Sequence, residues 1–179
     1  SRRIVASVRE ATYAELARVG YANLTVDGVA RAAGVHRTTI YRRWPTKADL
    51  VESLLEPQLE RLEVPPADTL AEELGALVRA LAANLVHPEG QAVASVFVGG
   101  SAELHDIAMT ARDRATSGFV KAFERARERG EVAPDTDIAM RVHLVFYGAV
   151  HWVTDLERLP TDDEVERLVA AVLPKEPVA

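Results

Sequence analysis

The chain has 179 residues, of which 48% are hydrophobic and 27% charged; its formal net charge is -6 and it contains no cysteine. That length is enough to bury one or two compact cores, and the mixture excludes a disordered chain, a collagen-like repeat and a disulfide mini-protein. Without cysteine there is no thiol catalysis and no cysteine zinc site. No apolar run approaches the roughly 18 residues that would span a membrane, and no secretory leader pattern is visible, so the expected setting is cytoplasmic. The chain opens on Ser1, not Met, which leaves room for an N-terminal arm ahead of it.

The charge is unevenly placed. Residues 1–50 carry nine Lys and Arg against four acids, or +5, while residues 51–179 carry 12 against 23, or -11. A basic head on an acidic body attracts phosphates at one end and repels them elsewhere.

Helical periodicity runs through the whole chain, with no alternating strand pattern. A first helix is predicted near 3–19, with Val5, Val8, Ala11, Thr12 and Leu16 inward and Gly20 as its stop. A second follows the N-cap Thr25, burying Val26, Val29, Ala30 and Ala33, and Gly34 breaks it. The third spans about 36–43 with Ile40 and Trp44 inward; Pro45 stops it. Thr46-Lys47-Ala48-Asp49 forms a capping box for a fourth helix that runs towards 56–62 and is interrupted at Pro57.

Glu63 to Pro66 reads as a linker. A fifth helix follows over about 68–86, with Leu70, Leu74, Leu77, Leu81 and Leu85 inward. Pro88 and Gly90 mark a turn before a sixth helix near 90–98, which Gly99-Gly100 ends. The seventh covers about 103–129; its Glu124 to Arg129 end is expected to be a solvated face, with Gly130 closing it. The eighth covers about 136–157 after Pro134-Asp135. The ninth covers about 162–173 behind the capping box Thr161 to Glu164, and Pro174 ends it before a frayed tail. The expected fold class is therefore all-α, with about nine helices, an N-terminal head over 1–50 and a larger helical part over 51–179.

The chemistry concentrates between Gly20 and Lys47. Two short helices meet at a tight turn containing Gly34, and the second carries His36, Arg37, Thr38, Thr39, Tyr41, Arg42 and Arg43 within eight positions. This is helix-turn-helix logic: a small-residue helix supports a polar one that enters the major groove. Arg37 can bond guanine O6 and N7, and Thr38 and Thr39 can meet bases or a thymine methyl. Tyr41 and Arg42 lie a turn later, at phosphate positions. Lys47 and the amides opening the fourth helix offer another phosphate site.

Gly20, Thr25, Ala33-Gly34-Val35, Tyr41, Trp44 and Lys47 together resemble the tetracycline-repressor (TetR) family of bacterial transcriptional regulators over about thirty residues. The resemblance implies a nine-helix homodimer whose first three helices bind an operator, whose larger part takes a small-molecule effector, and whose eighth and ninth helices dimerise. Carried over by position, it implies that Thr25, Tyr41 and Lys47 contact phosphates and that residues 36–39 read bases. Trp44 stands where the family usually has Phe, and His36 where it often has Ser, which weakens the N-cap of the third helix. Gly28 inside the second helix costs up to about 1 kcal/mol relative to Ala, and close packing is the explanation expected for it.

In the remainder, Phe97, Met109, Phe119, Phe123, Met140, Phe146, Tyr147 and Trp152 are either core residues or the lining of an apolar effector pocket. His143, Tyr147 and His151 follow one another at i, i+4, i+8, a polar stripe that fits effector contact or a dimer seam. Two histidines eight residues apart rise about 12 Å, too far to chelate one ion unaided. His105, Asp106 and Asp113 read as surface. Apolar faces on the last two helices (Ile138, Val142, Val145, Ala149, Val153; Val165, Leu168, Val169, Val172) suit either a four-helix interface between copies or burial within one chain. No nucleophile elbow, zincin, phosphate-loop or dinucleotide motif is present, so neither enzyme activity, a metal nor a cofactor is expected. The sequence points to an effector-released repressor of a near-palindromic operator; the other class left open is a helical interaction or small-molecule-binding module without DNA binding.

Overall fold

In the computed structural model, residues 2–98 and 102–173 are described, and they form helices and turns with no strand among them. The helices are α1 (Arg2–Asn23), α2 (Val26–Ala33), α3 (Arg37–Tyr41), α4 (Lys47–Glu52), α5 (Leu55–Glu60), α6 (Leu70–Val86), α7 (Pro88–Val98), α8 (His105–Glu128), α9 (Ile138–Thr154) and α10 (Asp162–Val172), with a 3-10 turn over Ala102–Leu104 before α8. The all-α expectation holds. Each of the nine expected segments is helical, the fourth being divided into α4 and α5. The expected breaks at Gly99-Gly100 and Pro174, and the tail, lie outside the described residues.

Local chemistry accounts for the boundaries. Gly20 leaves the helical region (φ 70°, ψ 169°), but one more turn follows it to Asn23. Gly34 adopts the left-handed conformation (φ 65°, ψ 30°) that ends α2, where a side chain would be strained. The interruption expected at Pro57 falls earlier, around Ser53 and Leu54. Pro57 instead sits in the first turn of α5, where its missing N–H has no intrahelical partner to lose. For the same reason Pro88 opens α7 and does not form a turn ahead of it. Helix α9 begins at the N-cap Asp137, whose carboxylate accepts the Met140 N–H at 3.0 Å, not at Pro134-Asp135.

The described residues pack into two compact units, one from residues 2–58, 87–98 and 102–111, the other from 59–86 and 112–173. In the first, α1 packs on α2 and α7. Its core holds Val8, Leu16, Val29, Ile40, Leu50, Val51 and Leu54, all 2% exposed or less, with Trp44 at its edge. Tyr13, absent from the expected face of α1, is also buried; its hydroxyl donates to the Leu54 carbonyl at 3.1 Å and accepts from the Gln58 amide at 2.7 Å.

In the second unit α6 packs on α9 and α10, and Phe119, Phe123, Leu74 and Val78 lie at its centre. Val142, Val145, Ala149 and Val153 of α9 and Val165, Val169 and Val172 of α10 are buried here. Their apolar faces are thus consumed within the chain. The Glu124 to Arg129 segment is not simply solvated, because Glu73 of α6, 2% exposed, is paired with Arg125 and with Arg129 at 3.3 Å. A carboxylate that deeply buried needs such partners.

Candidate nucleic-acid interface

The helix-turn-helix is assembled by two caps and one buried face. Thr25 caps α2, its hydroxyl oxygen accepting the Gly28 N–H at 3.1 Å. A Cβ at Gly28 would lie 3.0 Å from that hydroxyl and 3.1 Å from the Glu15 carboxylate, so close approach explains the glycine. Thr46 caps α4 in a reciprocal box with Asp49. Between them α3 buries Ile40 completely, and Trp44 follows it inward.

With that face committed, α3 presents its polar side outward. His36, Arg37, Thr38, Tyr41 and Arg42 are exposed and Thr39 is half-buried. His36 makes no capping bond to α3; its Nδ1 instead lies 2.9 Å from the Thr38 hydroxyl. The weak cap expected from His in place of Ser is what the structure has; α3 ends at Tyr41 and not near residue 43. Arg37 approaches Asp27 of α2 at 3.9 Å, both side chains being largely exposed. A pair that loose in water contributes little, so the guanidinium remains available to a ligand.

Thr25, the cap of α2, is exposed. Lys47 is half-buried, its ammonium 4.3 Å from the centre of the Tyr21 ring and donating to the Tyr21 carbonyl at 3.4 Å. Tyr21 is the residue that inspection of the motif passes over. Burial, then the nearby Glu103 carboxylate, raises its phenol well above the ordinary range, so the ring stays neutral. The signal for it was its place directly after Gly20, but only the fold brings that ring under a side chain 26 positions on. The amides opening α4 are less open to an anion than expected, since Asp49 already accepts the Thr46 N–H at 2.7 Å and Thr46 takes the Asp49 N–H.

The residues expected to line an effector pocket are distributed over both units. Phe97 and Met109 belong to the first unit, half-buried and 38% exposed respectively. Phe119, Phe123 and Phe146 are core residues of the second, with Phe119 and Phe146 in edge contact at 6.1 Å. His143, Tyr147 and His151 lie on the exposed side of α9, the first two rings 4.5 Å apart and His151 hydrogen-bonded to Asp155 at 2.6 Å. Met140 and Leu144, each more than half exposed, continue that side. His105, Asp106 and Asp113 are exposed. No helix among the described residues is long and apolar enough to cross a membrane, and none of their acidic and histidine side chains cluster as a metal site would require.

Comparison with known proteins agrees with this arrangement. Residues 8–54 match the family model of bacterial regulatory proteins, tetR family, and residues 64–172 match that of the tetracyclin repressor-like C-terminal domain. An uncharacterised HTH-type transcriptional regulator of Mycobacterium tuberculosis is 47% identical over 47 residues, which is 26% of this chain and 23% of that protein's length. The HTH-type transcriptional regulator AqdR of Rhodococcus erythropolis is 30% identical over 154 residues, covering 83% of this chain and 73% of the relative. Among solved structures, the transcriptional regulator FadR of Bacillus subtilis, in complex with stearoyl-CoA, superposes with a TM-score of 0.77 at 17% identity over 93% of this chain and 96% of that one. With a turn-linked helix pair at its head and family models matching both its N-terminal and its longer C-terminal segment, the chain belongs to the tetR family of bacterial regulatory proteins.

Proposed function

We propose that the protein is a sequence-specific DNA-binding transcriptional regulator, a homodimer that represses from a near-palindromic operator and releases it when a small molecule binds. The observation that carries this is α3: Ile40 is fully buried while Arg37, Thr38, Tyr41 and Arg42 stand in solvent, so the helix is held rigidly by one side and offers donors on the other. In this scheme His36, Arg37, Thr38 and Thr39 meet base edges, and Thr25, Tyr41, Arg42 and Lys47 hold phosphates. Residues 1–50 act as the DNA-binding part and 51–179 as the effector and dimerisation part. Dimerisation through α9 and α10 is supported by Met140, Leu144 and Tyr147, large apolar residues left exposed along α9. That exposure favours a dimer seam for the His143-Tyr147-His151 stripe. The effector is then a molecule with an apolar part received around Phe119, Phe123 and Phe146; the stearoyl chain of the stearoyl-CoA held by the Bacillus subtilis FadR supports such a ligand. No catalytic role is assigned to any residue, and the site of action is the cytoplasm.

The test is selection of bound duplexes from a random DNA pool at about 0.15 M salt, near physiological ionic strength. An enriched two-fold-symmetric motif is expected. A folded dimer that enriches nothing, at any salt, would instead make this an interaction module.

A further inference from the structure

The face of the first unit beside α3 carries a second concentration of positive charge that the base-reading helix does not explain. A groove of about 400 Å³ opens between the first turns of α1 and the end of α3, bordered by Arg2, Val5, Ala6, Arg9 and Arg43. It adjoins a second depression, bordered among others by Thr39, Arg42, Arg43 and Trp44, with Val5 and Arg43 common to both. No carboxylate borders either.

Three features of the groove point to an anion. Arg9 borders the groove, and its buried Nε has no hydrogen-bond partner, so no acceptor of the chain engages that donor. The Arg43 guanidinium lies 5.4 Å from the centre of the Trp44 ring, and Trp44 is anchored in the core. Stacking of that kind orients the charge and leaves its N–H edges open to oxygen acceptors. Finally, among the described residues neither Arg2, Arg9, Arg42 nor Arg43 is paired with a carboxylate, whereas Arg18 and Arg37 of the same unit each face one.

We propose that the Arg2–Arg9–Arg43 groove is a phosphate site for the DNA backbone, gripping the strand that flanks the bases read by α3. It widens the contact beyond the helix-turn-helix to the N-terminal turns of α1. The proposal rests on the DNA-binding function given above. It requires charge and N–H donors but no base recognition, so its contribution is the same for every sequence.

The experiment measures affinity of the whole chain for its selected duplex and for a scrambled duplex across a salt series, comparing wild type with Arg9→Gln/Arg43→Gln and with Arg9→Lys/Arg43→Lys. Both variants are first shown to retain the wild-type Tm and helical circular dichroism. The Gln pair is expected to weaken both duplexes by the same factor and to leave the selected motif unchanged. It is also expected to make the slope of log affinity against log salt shallower by about 0.9 for each phosphate no longer neutralised. The Lys pair keeps the charge and is expected to keep the slope. A wild-type slope in the Gln pair overturns the groove while leaving DNA binding intact; failure of the wild type to bind any duplex overturns the function itself. A groove that holds inorganic phosphate in titration calorimetry, yet leaves the DNA salt slope unchanged when its arginines are removed, is a small-anion site and also overturns the proposal.

Discussion

Lys47 and Arg37 belong to the same helix-turn-helix segment, but their surroundings give them different work. Lys47 is drawn over the Tyr21 ring and towards a backbone carbonyl, and its compact ammonium lacks the planar fork that discriminates bases. Arg37 stands in the first turn of α3 with only the loose Asp27 contact to restrain it. Truncation should separate the two. Arg37→Ala is expected to cost about 1–3 kcal/mol at one base pair and to relax selection there. Lys47→Ala is expected to weaken every sequence alike and to reduce the salt slope by about 1. Competition assays against single-position operator variants distinguish the patterns, and a base-selective loss from Lys47→Ala would remove its phosphate role. The chemical identity of these side chains was legible in their order along the chain. The supporting ring of Tyr21 was not, because nothing local connects position 21 with position 47.

At the scale of elements, the caps decide where helices start, and they are the part of the fold most plainly written in short-range order. Thr161 and Glu164 form the reciprocal box expected for the last helix, with the Glu164 N–H donating to the Thr161 hydroxyl at 3.3 Å and the Thr161 N–H to the Glu164 carboxylate at 2.8 Å. The Arg158 guanidinium, and after it the Thr161 amide, draw the Glu164 carboxyl from about 4.5 down to about 2. Since the folded value lies below the unfolded one, this group's stabilisation is complete above about pH 4.5 and fades as the pH falls towards 2. Urea unfolding from roughly pH 7 to pH 2.5 is expected to show a steeper acid loss for wild type than for Glu164→Gln; parallel profiles would mean the carboxylate is uncoupled from folding. Prolines were harder to place from sequence than caps. Pro57 and Pro88 fit equally well as a break or as a first-turn residue, and only the neighbouring turns settle which.

For the whole molecule, the distinction that matters is between apolar surface already used and apolar surface left over. The valines of α9 and α10 are occupied inside one chain, whereas Met140, Leu144 and Tyr147 are 55%, 53% and 43% exposed on the other side of α9. Leu144→Asp is therefore expected to leave the folded chain intact, because the site is open in a single copy, but to place an unpaired charge in a dimer seam. Sedimentation should shift from dimer to monomer with unchanged circular dichroism, and operator affinity should fall with it. A dimer that survives the change would locate the seam elsewhere.

The same distinction separates what sequence order carries from what packing adds. Helix type, the caps at Thr25, Thr46 and Thr161, the left-handed stop at Gly34 and the polar row on α3 all follow from interactions within about four residues, so they can be read along the chain. Which apolar face of α9 meets its own core, why a side chain at Gly28 would crowd Glu15, how Glu73 finds Arg125 and Arg129, and why Arg9 faces a groove depend on segments distant in sequence. Burial is a property of three-dimensional neighbours, and a periodic pattern offers the same face to a core, a pocket or a second subunit until those neighbours are in place.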